Sequence, residues 1–467
     1  MRVYVGIDLA LKSSHKAYAV TAAGDELLSG YRFRTDAEDL DRLVEKVESM
    51  APGAEVWSIS EPTGSVWRNV GAYLKSKGWK AHIVSNQKAH DLRRFLHRHT
   101  KTDAVDAEAL AQMGRIAPEA LQPIRIDPKA QSLLRWAKRY SKASLQLASL
   151  KRGFVNQVEE VLPGVGTVAP DLLTAAGKAF YRHYISPMKV RRLGLKRFAG
   201  ALEKRAGRKL QPGAAQRLFD FALKMNQLSA EGVLEVDFTE LEDLVQIELD
   251  ALEAKEEQLA RLKDGLVKLY RELHPSGALH SIQGVGEVTA ASCLAILLTH
   301  SFPNAKHLRS YLGVIPRVNE SGVTTSKGSR LTKQGPAWVR RLLYIAAESA
   351  RRWDPQLAEV YRREMVDKAN PHRKAVLAVV TRLVDRIWAL YRDDRGYELR
   401  DQDGNSVSAK EARAVVTEHL EVPKEVRARL KKQREEDDQE KREEARAEAP
   451  KGRGQPKAVS QSAASFY

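Results

Sequence analysis

Four acidic residues stand where chemistry could be done: Asp8, Glu61, Asp103 and Asp106. Asp8 closes an apolar run in "VYVGIDLA", and Glu61 directly follows another in "SISEPTG". An acid at the carboxyl end of a strand sits at the sheet edge where ligands are usually held. Asp103 and Asp106, in "KTDAVDAEALA", are three residues apart, so on a helix their carboxylates share a face. Carboxylate oxygens are hard ligands suited to Mg2+ or Mn2+, and two such ions can stabilise the attacking and leaving oxygens of phosphodiester chemistry. Each acid also has a plainer reading. Asp8 could be a turn residue, and Glu61 before Pro62 could simply end a strand. Thr100 with Asp103, or Asp103 with Asp106, has the spacing of a capping box.

The acids lie in a basic chain. The net charge is +17 over 467 residues, and such an excess usually answers a polyanionic partner, most commonly nucleic acid. His97, Arg98, His99 and Lys101, just before the aspartate pair, suit phosphate contacts. Eleven Lys or Arg residues and one acid, Glu203, lie between Tyr181 and Arg217. Among these, Arg182, Lys189, Arg191, Arg192, Lys196 and Arg197 are the candidate contacts. Tyr181, Tyr184 and Phe198 are interleaved as rings expected to be available for stacking. No apolar run approaches the roughly 20 residues needed to cross a bilayer, and the amino terminus reads as a strand rather than a signal peptide. The single cysteine, Cys293, excludes an intrachain disulfide frame or a cysteine metal site. A cytoplasmic, nucleoid-associated protein is expected, with no membrane partner.

Those side chains need elements to hold them. Residues 1–127 are expected to form one domain, with α/β alternation over residues 1–90. Three strands, "RVYVGIDLA", "HKAYAVTAA" and "LLSGYRFR", precede a helix over "DAEDLDRLVEKVESM". The strand "EVWSIS", a helix ending near Gly78 and the strand "KAHIVS" follow, predicting a mixed sheet flanked by helices. Residues 128–275 read as all-α, with a basic insertion at about 165–235. Val245, Leu252, Leu259 and Leu266 recur every seven residues, with Leu262 and Leu269 on the same seam, which suggests a coiled coil within one chain or between two. Residues 276–395 form a mostly helical domain. Its Gly284-x-Gly286 turn offers backbone N–H groups at a helix start, as in helix–hairpin–helix contacts with phosphate. In 396–467, "YELRDQDGNSVS" reads as a small hairpin around Asp403-Gly404, and the charged remainder as a solvated helix or disorder.

Taken in order, "GIDLALKSSHKAYAV", "SEPTG", "IVSNQKAHDLR" and "KTDAVDAEALA" resemble the RuvC-like, RNase H-fold domain of the DEDD transposases of bacterial insertion sequences. That family includes Piv-type DNA invertases and recombinases guided by a bridge RNA. The segment from "SIQGVGEVTAASCLAIL" through "SYLGVIPRVNESGVTTSKGSRLTKQGPAWVRRLLYIAA" resembles the family's second, transposase domain. The resemblance implies that Asp8, Glu61, Asp103 and Asp106 are the metal ligands for Mg2+ or Mn2+. It further implies that Ser321, in "YLGVIPRVNESG", is a nucleophile brought beside them, giving a phosphoserine–DNA link. Lys327, Arg330 and Lys333 then read as phosphate clamps. Locally "NESG" is also a good turn sequence, and Ser326 and Ser329 are rival serines. Residues 165–235 and the tail after 395 have no counterpart in the resemblance.

The expectation is therefore a site-specific recombinase that binds double-stranded DNA and a structured guide RNA, and works as a dimer or tetramer. Two other readings compete. A Holliday-junction-type endonuclease would need the carboxylates and a water nucleophile but not Ser321. An architectural nucleic-acid binder would need neither.

Overall fold

The computed structural model describes residues 1–97, 102–169, 171, 174–231, 236–315, 320–321, 324–325, 331–333 and 335–447. They fall into two compact units, 1–275 with 290–303, and 276–289 with 304–467.

The first unit opens with a sheet. Strands β1 (Arg2–Asp8), β2 (His15–Thr21) and β3 (Glu26–Phe33) form an antiparallel meander, and β4 (Glu55–Ser60) and β5 (Lys80–Ile83) continue parallel to β1. A short β6 (Gln122–Pro123) adds antiparallel to β5, completing the order β3-β2-β1-β4-β5-β6. The interior strands β1 and β4 are buried along most of their length, which is why both read as apolar runs. One face is covered by α1 (Ala37–Met50) and α2 (Val66–Ser76), whose Leu43, Val47, Trp67 and Leu74 pack on Val3, Val5 and Ile7. The other face carries α3 (Asn86–Leu96) and α4 (Asp103–Ile116), with Ala107, Leu110 and Ala111 against Tyr4 and Ile59.

Helix α4 lies directly on β1, and glycine permits it. A Cβ at Gly6 would collide with the backbone of Ala107 and Ala111, and one at Gly114 would come within 2.5 Å of Tyr4 and Ile59. The helix is capped by Thr102, whose hydroxyl accepts from the Val105 N–H at 3.3 Å. Asp103 and Asp106 are thus the first and fourth helical residues, and the capping-box roles considered for them are corrected. The cap is already made by a hydroxyl, leaving both carboxylates to point elsewhere.

Beyond the sheet, α5 (Pro128–Val161) and α10 (Phe238–Leu273) form a long pair, so the heptad seam is matched by a helix of the same chain. Val245, Leu252 and Leu266 are buried, whereas Leu259, Leu262 and Leu269 are half-buried. Between these arms run α6 (Val165–Val168), α7 (Ala175–Tyr184), α8 (Pro187–Ala206) and α9 (Ala214–Ala230), with a core of their own built on Phe154, Leu162, Phe180, Leu249 and Leu252. Helix α8 is broken at Gly194, which takes φ 70° and ψ 156°.

In the second unit α11 (Glu287–Thr299), whose residues from Ala290 belong to the first unit, follows the Gly284-x-Gly286 turn, and α12 (Ala305–Leu312) follows it. A two-stranded ladder pairs β7 (Glu320–Ser321) with β8 (Thr324–Thr325). Helices α13 (Ala337–Ala350), α14 (Pro355–Val366) and α15 (His372–Asp393) bury Val339, Leu343, Leu357, Val376, Val379 and Leu383. The Asp403-Gly404 turn closes on a bridge between Arg400 and Ser406, with Gly404 at φ 90°. Of the two alternatives for the charged remainder, helix or disorder, the structure has helix as far as residue 447. Helix α16 (Ala409–His419) starts with a full capping box and buries Ala412 and Val416, and α17 (Lys424–Ala447) is a charged helix. Among the described residues no helix is long and apolar enough to cross a membrane.

Candidate active site and nucleic-acid interface

The parallel pairing of β1 and β4 sets the geometry of the site. Ile7 is in register with Ser60, so Asp8 and Glu61 leave adjacent strands at the same edge of the sheet. Glu61 is half-buried, and its carboxyl is pushed above the ordinary range, first by burial and then by the charges of Asp106 and Asp8. Arg93 and His90 of α3 act in the opposite direction. Asp106 accepts from Arg93 Nη1 at 2.9 Å. Asp103 lies 3.6 Å from Lys16 Nζ, and Lys16 is the cross-strand partner of Asp8. Glu61 therefore lies near Asp8 and Asp106, and Asp103, one turn before Asp106 on the same helix, is held by Lys16 beside Asp8.

Lys16 and Arg93 were not singled out from sequence. Lys16 was findable: a β1–β2 hairpin places it opposite Asp8. Arg93 was not, because its contact depends on how α3 crosses α4. His97 Nε2 lies 3.2 Å from Glu108 Oε2 on the next helix.

The donor set fits a hard divalent cation in its chemistry: carboxylate oxygens, with the ionised form of Glu61 disfavoured by burial and by the charges of Asp106 and Asp8. Among the described residues no three His, Cys, Asp or Glu side chains are gathered closely enough to grip one ion. The acids are a donor constellation rather than a finished cage.

Ser321 is the last residue of β7, its backbone paired with Thr324. Nearby, Thr332 N–H donates to the Ile315 carbonyl at 3.0 Å and Lys333 N–H to the Gly313 carbonyl at 3.3 Å. Lys333 adopts φ 53°, left-handed for a non-glycine residue. Arg98, Lys101, Lys327 and Arg330 lie outside the described residues, as do His99, Ser326 and Ser329.

The basic insertion divides in two. Arg182 bonds to Asp250 at 2.9 Å and Glu253 at 3.1 Å, and Lys189 pairs with Glu242, all on α10. These cations hold the insertion to the arm. Arg191, Arg192, Lys196 and Arg197, on both sides of the Gly194 break, are exposed and, among the described residues, unpaired with any acid. The stacking role expected of Tyr181, Tyr184 and Phe198 is corrected: all three are core residues, with Tyr184 edge-on to Phe198 at 5.3 Å. A ring every few residues was the inner face of these helices, which alternates with the cations because a helix does. Gly284, at φ 89°, packs against the backbone of Ala346 and Ala350, whereas Gly286 faces open space.

A sheet edge carrying Asp8 and Glu61, in a protein with exposed cations unpaired among the described residues, suits an enzyme acting on nucleic-acid phosphodiesters. The comparisons narrow this class. The IS110-type DEDD transposase domain matches residues 5–166, and the description "Transposase IS116/IS110/IS902 family" matches residues 276–362. The chain belongs to this family of insertion-sequence transposases, DNA-binding enzymes that cleave and rejoin DNA. It is 25% identical to an uncharacterized 43.6 kDa protein of insertion element IS110 from Streptomyces coelicolor, covering 87% of this chain and 98% of the relative. A 44.8 kDa protein of insertion element IS116 from Streptomyces clavuligerus is 27% identical over 84% of this chain and 96% of its own length. The pilin gene-inverting protein of Moraxella bovis is 28% identical over 27% of this chain and 40% of its own length.

Proposed function

We propose that this transposase is a site-specific recombinase whose first domain is a RuvC-like RNase H fold and whose cleavage proceeds through a phosphoserine intermediate. The observation that carries the reading is the β1–β4 register that puts Asp8 and Glu61 at one sheet edge, with Asp106 close enough to act on Glu61. An antiparallel meander followed by parallel βαβ strands supports the RNase H assignment. Asp8, Glu61, Asp103 and Asp106 would hold Mg2+ or Mn2+, which supplies charge neutralisation at the attacked phosphate.

The chain's own groups do the rest. Ser321 Oγ forms a bond to phosphorus as one sugar–oxygen bond to that phosphorus breaks. The hydroxyl proton passes to a base, and the released sugar oxygen takes up a proton. One phosphodiester replaces another, so a new sugar hydroxyl can reverse the step and rejoin the strand without ATP. Exposed cations of α8 orient the backbone. A structured guide RNA and a dimeric or tetrameric state are part of the same proposal, supported by the family resemblance and by the need to exchange strands between two DNAs.

The test uses the full-length protein with Mg2+, a junction bearing an element end, and RNA transcribed from the flanking non-coding DNA. A protein–DNA adduct that survives denaturation is expected, and Ser321→Ala should abolish it. An adduct formed by Ser321→Ala removes the nucleophile; cleavage without any adduct favours the water-using endonuclease.

A further inference from the structure

Outside the acidic site, the first unit gathers cations without acids. Arg68, in the first turn of α2, rests its guanidinium 4.6 Å from the Trp67 ring, and its Nε is buried with no hydrogen-bond partner. On α5, Arg135, Lys138, Arg139 and Lys142 fall at i, i+3, i+4 and i+7, one face of the helix. Among the described residues none of these four is paired with an acid, and all are exposed. Beside them a cleft of about 440 Å3 opens against α10, lined by Arg135, Trp136, Arg139, Lys142, Gln146 and Gln258. The glutamines supply neutral hydrogen-bonding groups where an acid would have cancelled the charge.

Electrostatics agree with this geometry. Arg68 is pushed down by burial and then by Arg135, and Lys138 by desolvation of its ammonium and then by Arg68. His300, half-buried nearby, is driven down to about 4, mainly by desolvation, with Lys138, Arg68 and Arg125 adding to it. Among the described residues, the charges that bear on Arg68 and Lys138 are those of Arg135 and Arg68, both basic. The contrast lies on the same helix pair, where Lys129 is matched by Glu272. A like-charge cluster kept free of acids is uphill in the protein alone and becomes favourable when an anion occupies it.

We propose that Arg68, Arg135, Lys138, Arg139 and Lys142 form a track that grips the phosphodiester backbone of nucleic acid along α5. Seven residues of helix span about 10 Å, about three base-pair steps of duplex axis at about 3.4 Å of rise each, so the α5 face is long enough to meet about two or three phosphates. Duplex DNA and structured RNA share this chemistry. The track deepens the partner side of the reading above and rests on it for the identity of the anion as nucleic acid.

The experiment measures binding of the full-length protein to fluorescent duplex DNA and, separately, to a structured RNA, across a salt titration. In Arg135→Gln/Arg139→Gln/Lys142→Gln the slope of log affinity against log salt should fall by about 2–3, with at least about a tenfold loss near 0.15 M salt, for whichever acid uses the track. Arg139→Gln/Lys142→Gln, changing two exposed helix positions, should show about two thirds of that effect, and guards against loss of fold in the triple variant. Slopes unchanged for both nucleic acids overturn the track. Adduct formation by the wild-type protein is scored in parallel. A lost slope with no wild-type adduct retains the track and removes the serine mechanism, and an unchanged slope with an adduct does the reverse.

Discussion

Glu61 is the residue on which the candidate site can be tried without any substrate. Burial and the charges of Asp106 and Asp8 raise its folded value above the ordinary 4.5. The folded protein therefore holds this proton more tightly than the unfolded chain. Its contribution to stability is complete below about pH 4.5 and is lost as pH rises through the folded value. Glu61→Gln should remove that decline, giving a higher thermal midpoint than wild type at pH 7 while strand cleavage disappears. Melting curves at several pH values decide it. Identical profiles for the two proteins would mean that Glu61 does not feel the neighbouring acids. That the acids close their strands was legible in "VYVGIDLA" and "SISEPTG"; that Lys16 and Arg93 lie among them was not, since α3 and β2 meet α4 through contacts distant in sequence.

At the scale of elements, the approach of α4 to β1 is the joint that brings Asp103 and Asp106 to Asp8. Gly6 has no room for a Cβ because backbone, which cannot rotate away, fills the space. Gly6→Ala should cost about 3 kcal/mol or more in urea unfolding, at or above the upper end of ordinary overpacking, and should lower activity by shifting both aspartates. Gly153, inside α5, has open space around it, so Gly153→Ala should be neutral or stabilise by about 0.5–1 kcal/mol. Equal effects of the two substitutions would show that α4 does not sit on β1 this closely.

For the whole molecule, the surplus charge works in two ways. Arg182 and Lys189 tie the insertion to α10, whereas Arg191 and Arg192 face outward. Arg182→Ala should therefore leave nucleic-acid affinity nearly unchanged and cost about 0–1 kcal/mol of stability, the usual worth of such pairs. Arg191→Ala/Arg192→Ala should weaken binding and flatten its salt dependence by about 2 in slope, with unchanged melting. Salt titrations of both variants separate the roles, and equal slopes would place all the binding elsewhere.

Strand and helix order through Ile83, the acids at the strand ends, the long helical arms and the turn at Asp403-Gly404 were all determined by sequence alone. Periodicity, caps and turn residues act over a few neighbours and need no fold to be read. Which cations remain outward and that Tyr181, Tyr184 and Phe198 face inward were decided by tertiary structure. A helix carries its charged and apolar stripes on opposite faces, and only the surfaces it packs against settle which cations stay free of an acidic partner.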